Sequence, residues 1–145
     1  MTTTVYTTGY QGQKLEVLEA FLIAHDCDLF DIRFKPWSRN PQYTKAAFTA
    51  RFGDRYRHVV ELGNRLYKTE SIEFVDFEAG LRAIESNPRP VVLLCACADP
   101  ATCHRTAATR LLAERGFSVT ELRTSVDANP KPPAQPSTPT QERLL

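Results

Sequence analysis

Val91-Val92-Leu93-Leu94-Cys95 is an unbroken apolar run of five residues, set between Asn87-Pro88 and a polar stretch that holds Asp99 and Pro100. Alternating apolar and polar residues would mark a strand with one wet face; an unbroken run marks a strand buried on both faces. Such a strand belongs in a parallel sheet covered by helices on either side. The segments around it should therefore alternate between helix and strand.

Downstream, the reading is a helix that begins near Thr102 or Cys103, packs through Ala108, Leu111 and Leu112 and ends at Gly116, followed by a last strand over 118–122. Upstream, Phe77, Leu81 and Ile84 recur at helical spacing, and Asn87-Pro88 stops the helix. His58 to Leu62 reads as a strand ending at Gly63, and a helical stretch from Thr44 to Phe52 closes at Gly53. The loop between Pro36 and Pro41 precedes that helix, because proline there excludes a helix interior. Cys27 to Phe34 alternates into a strand on which Leu29, Asp31 and Arg33 would share one face. Leu15, Leu18 and Leu22, with Phe21 beside them, mark the first helix, and Thr4 to Thr8 a first strand closed by Gly9. The pattern predicts a single α/β domain with a mostly parallel sheet of about five strands and helices on both faces.

The chain has 145 residues and a mass of 16.4 kDa, enough for one domain with a core. Five of its ten prolines lie from Ala128 onward, with Pro-x-x-Pro spacings at Pro130, Pro133, Pro136 and Pro139. The expected division is a folded unit over 1–123 and a proline-rich tail over 124–145, disordered or extended. Eighteen Lys and Arg against 17 Asp and Glu leave a net charge of +1, so no global basic field favours nucleic acid or an anionic membrane. Any anion specificity must come from local clustering. No apolar run approaches the ~20 residues of a membrane span, and the Thr-rich start lacks the pattern of a signal peptide, so a cytoplasmic protein is expected. Three of the four cysteines, Cys95, Cys97 and Cys103, crowd one segment beside His104, where a disulfide framework would spread them; reduced thiols are the better reading.

In an open parallel sheet, ligands bind beyond the carboxyl ends of the strands, where the loops diverge and the following helices aim their N-termini. Gly9-Tyr10, Asp31 with Arg33, Glu61, and the segment from Cys95 to Arg105 all fall at such ends. A helix starting near Cys103 would favour an anion, and Arg105 would offer it a bidentate fork. The same field would lower the pKa of a nearby thiol, making Cys95 or Cys103 a nucleophile. Each thiol also reads as a packed core residue, and Arg105 as a surface arginine; the convergence of Cys, His and Arg in one turn is what points to function. Cys95, Cys97, Cys103 and His104 would also supply four metal ligands, in a C-x-C-x5-C-H order unlike the usual structural zinc spacings. A phosphatase loop is not matched, since neither Cys95 nor Cys97 has Arg at the required distance.

A second cluster, Asp31-Ile32-Arg33-Phe34-Lys35-Pro36-Trp37-Ser38-Arg39, interleaves cations with an aromatic ring, with Tyr43, Lys45 and Arg51 downstream. It reads either as a phosphate- and base-binding surface or as a solvated loop anchored by one aromatic. Asp31 beside Arg33 reads either as an ion-paired structural carboxylate or as a general acid or base.

Four motifs in order along the chain resemble the domain of unknown function 488 family (DUF488), a prokaryotic group of small α/β proteins. They are Tyr6-Thr7-x-Gly9-Tyr10, Asp31-x-Arg33-x-x-Pro36-x-Ser38-Arg39, Glu61-Leu62-Gly63, and Leu94-Cys95-(x)7-Cys103-His104-Arg105. The resemblance brings no established reaction or cofactor. It implies a site at Gly9, Asp31, Arg33, Ser38, Arg39, Cys95, Cys103, His104 and Arg105. One departure is that the family typically carries Glu where Cys97 stands here.

The functional expectation is an enzyme acting on a phosphate-bearing ligand, a nucleotide or nucleic-acid fragment. Cys95, Cys103, His104 and Asp31 would be its catalytic residues, and Arg105, Arg33, Arg39, Ser38, Gly9 and Tyr10 its anion-binding residues. The alternatives are a non-catalytic module that binds the same ligands and a Cys/His metal or redox site.

Overall fold

A computed structural model describes residues 3–9, 14–66, 71–95 and 104–122, with backbone only at 104 and 105. Five strands form one parallel sheet: β1 (Thr4–Gly9), β2 (Asp28–Asp31), β3 (Tyr56–His58), β4 (Val91–Cys95) and β5 (Ser118–Glu121), in spatial order β3-β2-β4-β1-β5. Four helices connect them: α1 (Leu15–Ala24), α2 (Lys45–Phe52), α3 (Phe77–Ser86) and α4 (His104–Glu114). The expected α/β class, strand number and parallel sense are all found.

The unbroken run over 91–95 is β4, at the centre of the sheet, with all five residues buried. Its alternate side chains enter two different cores. Val91, Leu93 and Cys95 pack with Leu81 and Ile84 of α3 and Leu112 of α4. Val92 and Leu94 pack with Leu18 and Leu22 of α1 and Phe48 and Phe52 of α2. Each buried aliphatic side chain contributes about 1.5–3 kcal/mol, so a polar residue anywhere in β4 would lose that term on whichever face it entered.

The helix boundaries follow their capping chemistry. Thr44 accepts the Ala47 amide at 3.2 Å through its hydroxyl and starts α2, and Gly53 ends that helix at φ 58°. Asp76 accepts the Ala79 amide at 3.1 Å and starts α3. At the amino edge of the sheet, buried Asp28 accepts from Arg89 Nε and Asn87 Nδ2, each at 2.9 Å, tying the end of α3 to the start of β2.

Two strands differ from the sequence reading. β2 ends at Asp31 rather than Phe34, because the Asp31 carboxylate accepts the backbone N–H of Arg33 at 3.2 Å and turns the chain out of the sheet. Arg33 is therefore not on the strand face with Leu29 and Asp31. β3 lies at 56–58 rather than 58–62, and a short 3-10 turn over Val60–Leu62 follows it, closed by Gly63 N–H on Val60 O at 2.8 Å. That turn drives Leu62 into the core against α3, where a Cβ on Gly80 would stand 2.4 Å from Leu62 Cγ.

Candidate functional site

The parallel register aligns the polar ends of the strands along one edge. Gly9 stands beside Cys95 across the β1–β4 pair, and Asp31 stands beside Leu94 on β4 and beside His58 on β3. The amide of Ile32 still donates to Leu94 O at 2.9 Å, so the loop after β2 departs from the same edge as the loop after β4. α4 follows β4 and leads into β5, whose Ser118 pairs with Thr4 at the opposite edge; α4 therefore starts at the carboxyl edge.

The side chains at that edge do not share one chamber. Asp31 lies on the α1/α2 side with Tyr56 and Phe48, whereas Cys95 lies on the α3/α4 side with Leu93 and Leu112. Cys95 is 1% exposed and is part of the core.

Asp31 is fully buried, and its carboxylate accepts four hydrogen bonds. Oδ1 takes Arg33 N at 3.2 Å and Arg33 Nε at 2.8 Å; Oδ2 takes Arg33 Nη2 and the Tyr56 hydroxyl, each at 2.6 Å. A carboxylate offers about four acceptor sites, so all of them are filled within the protein. The fork of Arg33, itself 4% exposed, is further used by Tyr43 O, which accepts from Nη1 at 2.6 Å, and the guanidinium carbon lies 5.3 Å from the centre of the Phe48 ring. The Tyr56 pKa is pushed well above its ordinary value, first by burial and then by the Asp31 charge, which keeps the phenol protonated as the donor.

This cluster closes the base of the loop between β2 and α2. Arg33 joins Asp31, at the loop's start, to Tyr43, at its end. His58 Nε2 donates to Arg33 O at 2.8 Å, since a carbonyl can only accept. Gly63 seats against the same strand of backbone: a Cβ there would meet Phe34 Cα at 2.8 Å. Tyr56 and Phe48 were not singled out by sequence reasoning, and Tyr43 was read only as an aromatic among the cations of the second cluster. Only the β2–β3 register, Leu29 beside Tyr56, brings the phenol to Asp31.

Beyond its base, the loop faces solvent. Arg39 is exposed, Ser38 accepts the Asn40 amide at 3.1 Å through Oγ, and Trp37 is 66% exposed. Of the two arginines expected to line an anion site from this side, Arg33 is committed to Asp31 and Tyr43, and Arg39 is presented outward.

Tyr10, Cys97 and Cys103 lie outside the described residues, as do the side chains of His104 and Arg105 and the tail over 124–145. The C-x-C-x5-C-H set thus falls outside them apart from Cys95. Among the described residues no group of three or more His, Cys, Asp and Glu is placed to hold a metal, and no helix is long and apolar enough to cross a membrane. Cys27, the fourth cysteine, is buried at the start of β2; burial first, then the Asp28 and Asp26 charges, push its pKa to about 11.

No protein-family model matches the chain, and comparison with curated proteins and with solved structures finds no significant match to either.

Proposed function

We propose that the chain is a DUF488-like enzyme that acts on a phosphate-bearing ligand, a nucleotide or nucleic-acid fragment, at the turn from β4 into α4. The observation that carries this reading is the register that sets Gly9 beside Cys95 and Asp31 beside Leu94. It brings three of the four motifs to one sheet edge, the edge at which α4 begins. Backbone N–H groups at a helix start and a neighbouring Arg105 suit an anion.

Within this reading the nucleophile is Cys103 rather than Cys95, whose burial in the core keeps it from a soluble substrate. Proton transfer belongs to His104, because the four acceptor sites of Asp31 are occupied by Arg33 and Tyr56. Arg105 would hold the phosphate.

Iodoacetamide labelling near neutral pH tests the assignment. One thiol should react much faster than a free model thiol, inorganic phosphate should slow it, and Cys103→Ser should abolish the fast phase while Cys95→Ser leaves it. The filled acceptor sites of Asp31 and the burial of Cys95 favour a second reading, a non-catalytic module for the same ligands. Labelling only at the rate of a model thiol, with phosphate-ligand binding retained, would select it.

A further inference from the structure

Between Asp31 and Asp54 the chain holds no acidic residue, yet it carries Arg33, Lys35, Arg39, Lys45 and Arg51. In a chain whose net charge is only +1, this segment is a local excess of positive charge. Two of the five are neutralised, Arg33 by Asp31 and Arg51 by Glu19. Among the described residues no ion pair engages Lys35, Arg39 or Lys45, and all three are exposed. Trp37 stands between the first two in sequence, with 66% of its surface open to water.

The backbone that carries Trp37 is tied by hydrogen bonds within the loop. Trp37 N–H donates to Lys35 O at 2.8 Å, Lys45 N–H donates to Pro36 O at 3.1 Å, and Gln42 N–H donates to Asn40 Oδ1 at 3.0 Å. Pro36 and Pro41 stiffen the backbone further, and the buried Arg33 fork fastens its base. The ring is held out in water, with Lys35 and Arg39 each two residues away along the chain.

We infer that the loop from Lys35 to Lys45 is a docking surface for single-stranded nucleic acid, with a base stacked on Trp37 and the backbone phosphates on Lys35, Arg39 and Lys45. This rests on the phosphate-ligand reading above and names its substrate as a polymer. An indole face receives a base only if that base is unstacked from its neighbours, which excludes the interior of a duplex. Three cations spread from Lys35 to the first turn of α2 are more than one phosphate needs. A membrane surface would call for several apolar side chains together, whereas Ile23 and Ile72, the other exposed large hydrophobics among the described residues, lie on other segments.

Trp37 is the only tryptophan in the chain, so its fluorescence reports the site directly. Titration of the full chain with an oligothymidylate of about twelve nucleotides should quench that emission. The logarithm of the binding constant should fall with the logarithm of salt at a slope of about −2, for three phosphate contacts on a single strand. Lys35→Ala and Arg39→Ala should each reduce that slope by about 0.7. By anisotropy of a labelled oligonucleotide, Trp37→Ala should weaken binding about tenfold and Trp37→Phe far less. These side chains are exposed, so circular dichroism of the variants should match the parent. Equal affinity for duplex of the same length, equal affinity for thymidine monophosphate, quenching only by anionic vesicles, or no salt-dependent quenching would each overturn the inference. Thiol labelling proceeds independently of this surface, so failure of one reading is distinguishable from failure of the other.

Discussion

Asp31 and Arg33, two residues apart, form a buried two-pronged ion pair, Nε to Oδ1 at 2.8 Å and Nη2 to Oδ2 at 2.6 Å. Because Arg33 also donates to Tyr43 O, the pair works as a clasp across the loop that leaves β2 and returns as α2. Its geometry explains why an aspartate, a spacer and an arginine occur together here: the spacer lets the chain turn so that the guanidinium can reach back to the carboxylate.

Removing one partner leaves the other charged, buried and uncompensated. Asp31→Ala should lower unfolding free energy by about 3–5 kcal/mol, read from urea midpoints. A double variant, Asp31→Leu with Arg33→Met, should be more stable than Asp31→Ala, because no buried charge remains. If Asp31→Ala cost less than about 1 kcal/mol, within the range of an exposed pair, the clasp would not be the buried element described.

Tyr56 completes the carboxylate through its hydroxyl. Tyr56→Phe keeps the ring against Phe48, at a centroid distance of 5.6 Å in the parent, and deletes only the donor to Asp31. A hydrogen bond to a charged group is worth about 1.5–3 kcal/mol, and a loss of that size in chemical denaturation is expected. An unchanged midpoint would mean that the phenol makes no net contribution there.

Gly63→Ala adds a single methyl group where the obstacle is backbone, Phe34 Cα at 2.8 Å and Val60 O at 3.0 Å. Neither can rotate away, so either the 3-10 turn or the start of the loop must shift, at about 1–3 kcal/mol. Movement of the loop should also change the emission of Trp37. Gly80→Ala meets a buried side chain instead of backbone, Leu62 Cγ at 2.4 Å and Cδ2 at 2.5 Å, and provides the comparison: it should cost stability through core packing and leave the Trp37 emission as in the parent.

The fold was legible because its strongest signals are local. The apolar run over 91–95 can satisfy both its faces only in the middle of a covered sheet, and Thr44, Gly53 and Asn87 bound helices by their own local chemistry. What misled was chemistry that acts across segments. Arg33 continues the alternation of β2, and only the turn made by the Asp31 carboxylate takes it out of the strand. Val59 to Leu62 has the composition of a strand, but Leu62 is drawn into the core beside Gly80, which a tight turn achieves and an extended chain does not. The candidate site was legible as positions on one sheet edge. The side of the sheet each group faces is decided by strand register, which sets Asp31 and Cys95 on opposite sides.

Alkaline pH should weaken the fold in two stages, because two buried acids hold their protons more tightly folded than unfolded. Burial, reinforced by the Asp28 and Asp26 charges, raises the Cys27 thiol from its ordinary 9.0 to about 11. Below pH 9 the thiol is protonated in both states and its contribution is complete. Between about 9 and 11 the unfolded chain ionises while the folded chain does not, so stability falls, by roughly 2–3 kcal/mol in all. Tyr56, raised by burial and by Asp31, starts to act at its ordinary 10.0 and continues above it, and Tyr6, raised by burial and by Cys27, adds in the same direction. Urea midpoints followed from about pH 8 upward should be level at first and then decline. Cys27→Ala should flatten the first part of the decline, and Tyr56→Phe the later part. A Cys27→Ala variant that loses stability as steeply as the parent between about pH 9 and 10 would show that the thiol is not the group that titrates there.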